Sequence, residues 1–162
     1  MAIINVSGTG DFATLHISTA TIAGTTASTA TGILAVPGMQ NVTLSNANGV
    51  FRWKQLDSTS EKAIALAATN QVSMNIVIDD NAYFGQTSAD AGSATAKGLF
   101  TLSNDKTLVY FRLYYSGVGS GDRYVSGSAY MTGLAPAVTA DQPIWVSPLT
   151  LDVVGDFGTG TV

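Results

Sequence analysis

The chain has 162 residues, of which 46% are hydrophobic and only 11% charged, where a soluble domain typically carries about 25% charged residues. Seven Lys and Arg against eleven Asp and Glu give a net charge of −4, which argues against a surface that grips phosphate. Cysteine is absent, so disulfides and thiolate metal sites are excluded.

The length is enough for one domain with a real core, and residues 1–162 are expected to form a single β domain. So few charges imply that part of the surface is covered by other subunits. The beginning, MAIINVSGTG, has no basic region followed by an apolar run. Nor is any apolar stretch long enough to span a bilayer. A chain that is soluble and intracellular when made, with no membrane anchor, is the expectation.

Residues 3–17 offer two short apolar stretches around Gly8-Thr9-Gly10-Asp11, read as a loose hairpin. Ser18 to Gly32 is small, uncharged and of low complexity, either a loop or an arm ordered against a neighbouring subunit. Val42 and Leu44 alternate with polar neighbours as in a strand, and Asn46-Ala47-Asn48-Gly49 reads as a turn. Val50 to Leu56 resumes as a strand, with Phe51 and Trp53 on one face and Arg52 and Lys54 on the other.

Ser58-Thr59-Ser60-Glu61 fits a capping box, and AIALAA after it consists of good helix formers. A short helix over about 59–68 is therefore expected. Gln71 to Asp80 alternates again, with Val72, Met74, Ile76 and Ile78 sharing a face. Asn81 to Gly98 is long and irregular, and a loop of that length inside a domain is usually functional or disordered.

Leu99 to Leu102 and a turn at Ser103 to Lys106 lead into three strand-length runs beginning at Thr107, TLVYFRLYYSG, RYVSGSAYMTGLAP and PIWVSPLTLDVVGDF. Gly117 to Asp122 joins the first two as a hairpin turn. The sum is a mainly β fold, an antiparallel sandwich or barrel of seven to nine strands with one helix.

No catalytic constellation emerges. His16 is the only histidine and cannot hold a metal or centre a triad by itself; it reads as a strand residue with a satisfied ring. Asp79 and Asp80 point to opposite faces if they belong to a strand, so they suit a strand end or turn cap better than shared acid–base work. The Gly117 to Asp122 run lacks the helix that a phosphate loop needs. Trp53, Trp145, Tyr83, Phe84, Tyr110, Tyr114, Tyr115, Tyr124 and Tyr130 suit cross-strand packing or an interface, with a stacking platform for sugars or bases as the rival.

From Met39 to Phe157 the order of elements resembles the tail tube proteins of long-tailed bacteriophages and of related injection devices. The resemblance rests on the tryptophan strand FRWKQL, the alternating QVSMNIVID, FRLYYSG, and the ending GSAYMTGL…PLTLDVVGDFG. Its motif residues are Gly127, Ser128, Ala129 and Tyr130, then Leu149, Leu151, Val153 and Gly155. The low-complexity N-terminal segment falls outside it.

The resemblance implies a structural virion protein and no enzyme: hexameric rings stacked into a hollow tube whose acidic lumen lets DNA pass without specific binding. It needs no cofactor and no metal. Partners are other copies of the chain and further tail proteins such as a sheath, a baseplate or tip, and a terminator, with assembly in the host bacterial cytoplasm. Either Asn81 to Gly98 or Ser18 to Gly32 would form the ring-to-ring contact. Candidate interface residues are Phe51, Trp53, Tyr83, Phe84, Trp145 and Val153. The alternatives are a capsid decoration, cement or tail terminator protein, and a carbohydrate- or surface-binding β-sandwich.

Overall fold

Alternating apolar residues become strands through most of the computed structural model, which describes residues 13–23, 32–56 and 59–162. In chain order these residues form β1 (Thr14–Ser18), β2 (Leu34–Val36), β3 (Met39–Ala47), β4 (Val50–Lys54), β5 (Glu61–Ala65) and β6 (Thr69–Val77). Helices α1 (Asp80–Phe84) and α2 (Ala94–Asn104) follow. The chain ends with β7 (Leu108–Tyr114), β8 (Arg123–Thr132), β9 (Ala137–Thr139), β10 (Gln142–Val153) and β11 (Gly158–Thr161).

Nine strands make one antiparallel sheet in the order β2-β1-β7-β8-β10-β6-β3, with β9 added to β10 and β11 to β8. The two ends of that path, β2 and β3, are separated along the chain by Pro37 and Gly38 alone. Three residue steps reach at most about 11 Å, so the sheet curls, barrel-like, far enough to bring the end of β2 near the start of β3. Gly38 extends the β3–β6 ladder, accepting a hydrogen bond from the Val77 N–H at 2.9 Å.

The inward faces supply the core: Leu15 and Ile17 from β1, Val72, Met74 and Ile76 from β6, Val109, Phe111 and Leu113 from β7, and Leu149 and Leu151 from β10. Burying each such side chain contributes about 1.5–3 kcal/mol of transfer free energy. Leu99 and Leu102 of α2 and Tyr83 of α1 join the same cluster.

The small residues of the β8 motif have a packing reason. Gly127 and Ala129 lie on the core side of β8, and a Cβ at Gly127 would stand 3.0 Å from the Phe111 ring and 3.3 Å from a Val153 methyl. Beyond Val153, the paired residues advance five steps to Gly158 while β8 advances three, from Ala129 to Ser126. Thus β11 continues along the same edge of β8 as β10, after a two-residue bulge.

Three expectations require correction. The run expected to be a helix over about 59–68 is strand β5, paired with β4 from Val50↔Ala65 to Lys54↔Glu61. Cross-strand partners outweigh the modest helix propensity of a run too short to hold a helix alone. Ser58 of the expected capping box lies outside the described residues.

The long loop expected over 81–98 contains α1 and the start of α2. Each helix has a side-chain cap: the Ala82 N–H donates to Asp79 Oδ1 at 3.0 Å, and the Ala96 N–H to Ser93 Oγ at 3.1 Å. Leu99 to Leu102 accordingly belongs to α2. Last, Asn46 to Gly49 does not reverse the chain: β3 pairs with β6 and β4 with β5, so the strand runs on through Asn48-Gly49. The N-terminal hairpin expected over 3–17 falls mostly outside the described residues, as does most of the 18–32 arm.

Candidate assembly surface

The β4–β5 hairpin prolongs the β3–β6 pair beyond the barrel, with the Leu66 N–H donating to the Gly49 carbonyl at 2.8 Å at the junction. All ten of its strand residues are exposed. Residues opposite one another in an antiparallel pair share a face, so Phe51, Trp53, Ile64 and Lys62 lie together. Phe51 and Ile64 are each 55% exposed, and the Phe51 and Trp53 rings stack at 5.9 Å. The other face carries Arg52, Lys54 and Glu61, with an Arg52–Glu61 ion pair at 3.6 Å. At such exposure that pair adds little stability.

A second apolar surface lies on the helices. Phe84 ends α1 and Phe100 sits in α2, their ring centroids 6.4 Å apart, and Tyr83 touches both at 5.0 and 5.9 Å. Tyr83 is buried, while Phe84 and Phe100 are 62% and 49% exposed. Ile144 and Trp145 of β10 are also exposed.

The six residues singled out from sequence therefore divide. Phe51 and Trp53 come together on the hairpin, Phe84 lies on the helical pad and Trp145 on the β10 strand, all exposed. Tyr83 and the half-buried Val153 pack into the chain's own core. Sequence reasoning missed Ile64 and Phe100, which complete the first two surfaces. Ile64 was hidden by the helix reading, and Phe100 because no helix was read over Leu99 to Leu102.

The outward face of β3-β6-β10-β8 carries hydroxyls and amides, among them Thr43, Gln71, Ser73, Asn75 and Thr150, together with Pro148 and the exposed Tyr130. Asp152 is the one charged residue there, accepting hydrogen bonds from Gln71 Nε2 and Thr132 Oγ1, both at 2.8 Å.

Across β1 and β7, His16 opposes Arg112. The Arg112 guanidinium donates to the Ile22 carbonyl at 2.6 Å and lies 4.5 Å from the Tyr124 ring centre. His16 packs edge-on against Tyr114 at 5.1 Å. Its ring is not fully satisfied as expected: buried Nδ1 has no hydrogen-bond partner among the described residues. Burial, and secondarily the Arg112 charge, hold its pKa below the ordinary value.

No group of three or more His, Asp or Glu able to hold a metal ion forms among the described residues, and no helix there is long and apolar enough to cross a membrane. Asp79 acts as a cap, for a helix rather than a turn.

A curled antiparallel sheet with two short helices and a projecting apolar hairpin defines the class of fold. That fold is similar to a chain in the tail of an empty gene transfer agent particle determined with C6 symmetry, with TM-score 0.58, 13% identity, and 80% of this chain and 87% of that one covered. It is also similar to a chain in the virion of a native gene transfer agent particle, with TM-score 0.57, 13% identity, and coverages of 80% and 89%. The chain thus shares its fold with chains of gene transfer agent particles. No family model matches it, and no curated protein matches it.

Proposed function

We propose that the chain is a structural subunit of a phage-like tail, and specifically of the tail tube: copies form rings, hexameric by analogy with the C6 tail that shares the fold, and the rings stack into a hollow DNA conduit. The observation that carries this reading is the β4–β5 hairpin, exposed at all ten strand residues yet bearing Phe51, Trp53 and Ile64 on one face. An isolated two-stranded hairpin is at best marginally stable in water, and a contiguous apolar face of this kind marks an interaction surface. Burying it against another copy supplies the free energy that the hairpin lacks in the monomer.

Two further features fit a tube. Strand β3 ends the sheet path with nine residues of strand, a long edge that a neighbouring copy can extend by pairing. The hydroxyl and amide face of β3-β6-β10-β8 suits the channel wall, because it offers no cation to trap phosphate and Asp152 repels it. DNA slides past such a wall. The subunit then resides in the virion tail, with further tail proteins completing the machine.

Sedimentation velocity over a concentration series tests the reading. Ring-sized and larger species should grow in at the expense of monomer. A monomer at every concentration would favour a decoration protein or a surface-binding module instead.

A further inference from the structure

Two apolar surfaces on one chain, neither covered by that chain, raise the question of whether they fit each other. The pad is preformed: Gly85 and Gly98 bring α1 and α2 into backbone contact, which sets Phe84 beside Phe100 over buried Tyr83. The hairpin presents Phe51, Trp53 and Ile64 from one face of a regular two-stranded ladder.

Charge separates the two surfaces. On the hairpin's Phe51–Trp53–Ile64 face the charged residue is Lys62, since Arg52, Lys54 and Glu61 lie on the other face. On the pad side, exposed Asp80 stands one helical turn before Phe84 on α1. Pairing two hairpins face to face would bring Lys62 of one copy toward Lys62 of the other, whereas hairpin on pad joins unlike charges.

We propose that the hairpin of one copy seats its Phe51–Trp53–Ile64 face on the Phe84–Phe100 pad of a second copy. The contact is head-to-tail, so each copy gives one hairpin and receives another, as closing a ring or extending a stack requires. This proposal rests on the tail tube reading and names the surface that receives the hairpin.

The absence of cysteine makes the test clean. Ile64→Cys and Phe100→Cys, both at exposed positions, are prepared separately, then co-assembled and treated with a short bismaleimide. Cross-linked dimer is expected in the mixture and not in either variant alone. The charge-reversed Lys62→Glu Ile64→Cys protein should lose most of that product, and Asp80→Lys on the Phe100→Cys partner should restore it.

Rings or tubes in the microscope without a cross-link in the mixture would overturn the docking while leaving the tube reading standing. Cross-linking of Ile64→Cys with itself alone would replace it by a symmetric hairpin contact. Wild-type protein that forms neither rings nor tubes would overturn both.

Discussion

Gly85 and Gly98 meet backbone to backbone. A Cβ on Gly98 would stand 2.4 Å from the Gly85 nitrogen and 2.6 Å from the Tyr83 carbonyl oxygen, and one on Gly85 would stand 2.1 Å from the Ala96 oxygen. Gly98 has φ 68° and ψ 167°, a non-helical conformation that breaks α2 in its middle, and Gly85 has φ 93° and ψ 165°. These dihedrals are essentially restricted to glycine. The helices can cross this closely only because neither residue has a side chain, and the crossing holds Phe84 and Phe100 together.

Gly98→Ala should therefore be strongly destabilising. A strained dihedral and an overpacked contact together cost about 2–6 kcal/mol. Urea unfolding of the monomer, followed by circular dichroism, measures the loss. A change within experimental error would mean that the helices can separate freely.

Trp53→Ser should behave in the opposite way. Trp53 lies on the projecting hairpin, 36% exposed and stacked on Phe51, and substitutions at surface sites usually change stability by about 0.5 kcal/mol or less. The monomer should unfold at nearly the wild-type urea concentration, while rings and tubes vanish. Sedimentation beside the unfolding curve separates the two effects.

Much of the sheet was legible in the sequence because period-two alternation survives wherever one face is buried. Val72-Met74-Ile76 and Leu149-Leu151 kept it, and both runs are inward-facing strand. It failed where packing within the chain does not decide the outcome. Every residue of Glu61 to Ala65 is exposed, so its composition suggested a helix and only pairing with β4 makes it a strand.

The helices over Asp80–Phe84 and Ala94–Asn104 eluded periodicity for another reason. One has five residues, and the other is broken at Gly98. Their legible signals were the caps Asp79 and Ser93, of which Asp79 was read as a turn or strand end. The exposed sites were half legible: Phe51, Trp53 and Phe84 stood out as aromatics, but Ile64 and Phe100 needed the fold to bring them alongside.

Acid should weaken the fold through His16. Burial, then Arg112, holds its pKa below 6.5, so the unfolded chain binds a proton that the folded chain refuses. The contribution of neutral His16 is fully present above the unfolded value and falls as pH drops through 6.5 toward the lower folded value. Unfolding free energies measured above and below that pH should differ more in the wild type than in His16→Asn. Parallel pH profiles would exclude His16 as the source.

Asp152→Lys tests the channel wall. The change removes two hydrogen bonds, to Gln71 and Thr132, at a cost of about 1–3 kcal/mol. Tubes built from the variant should retain double-stranded DNA in a manner that weakens as salt rises. Wild-type tubes should not. Equal retention by both would place this face away from the DNA path.

In the proposed role the chain builds a hollow tube from copies of itself. Negative-stain electron microscopy of the purified protein over a concentration series tests it most directly. Rings with a central hole, sixfold in rotational averages, should appear and lengthen into tubes of uniform width as concentration rises. Small particles without a hole at every concentration would contradict it.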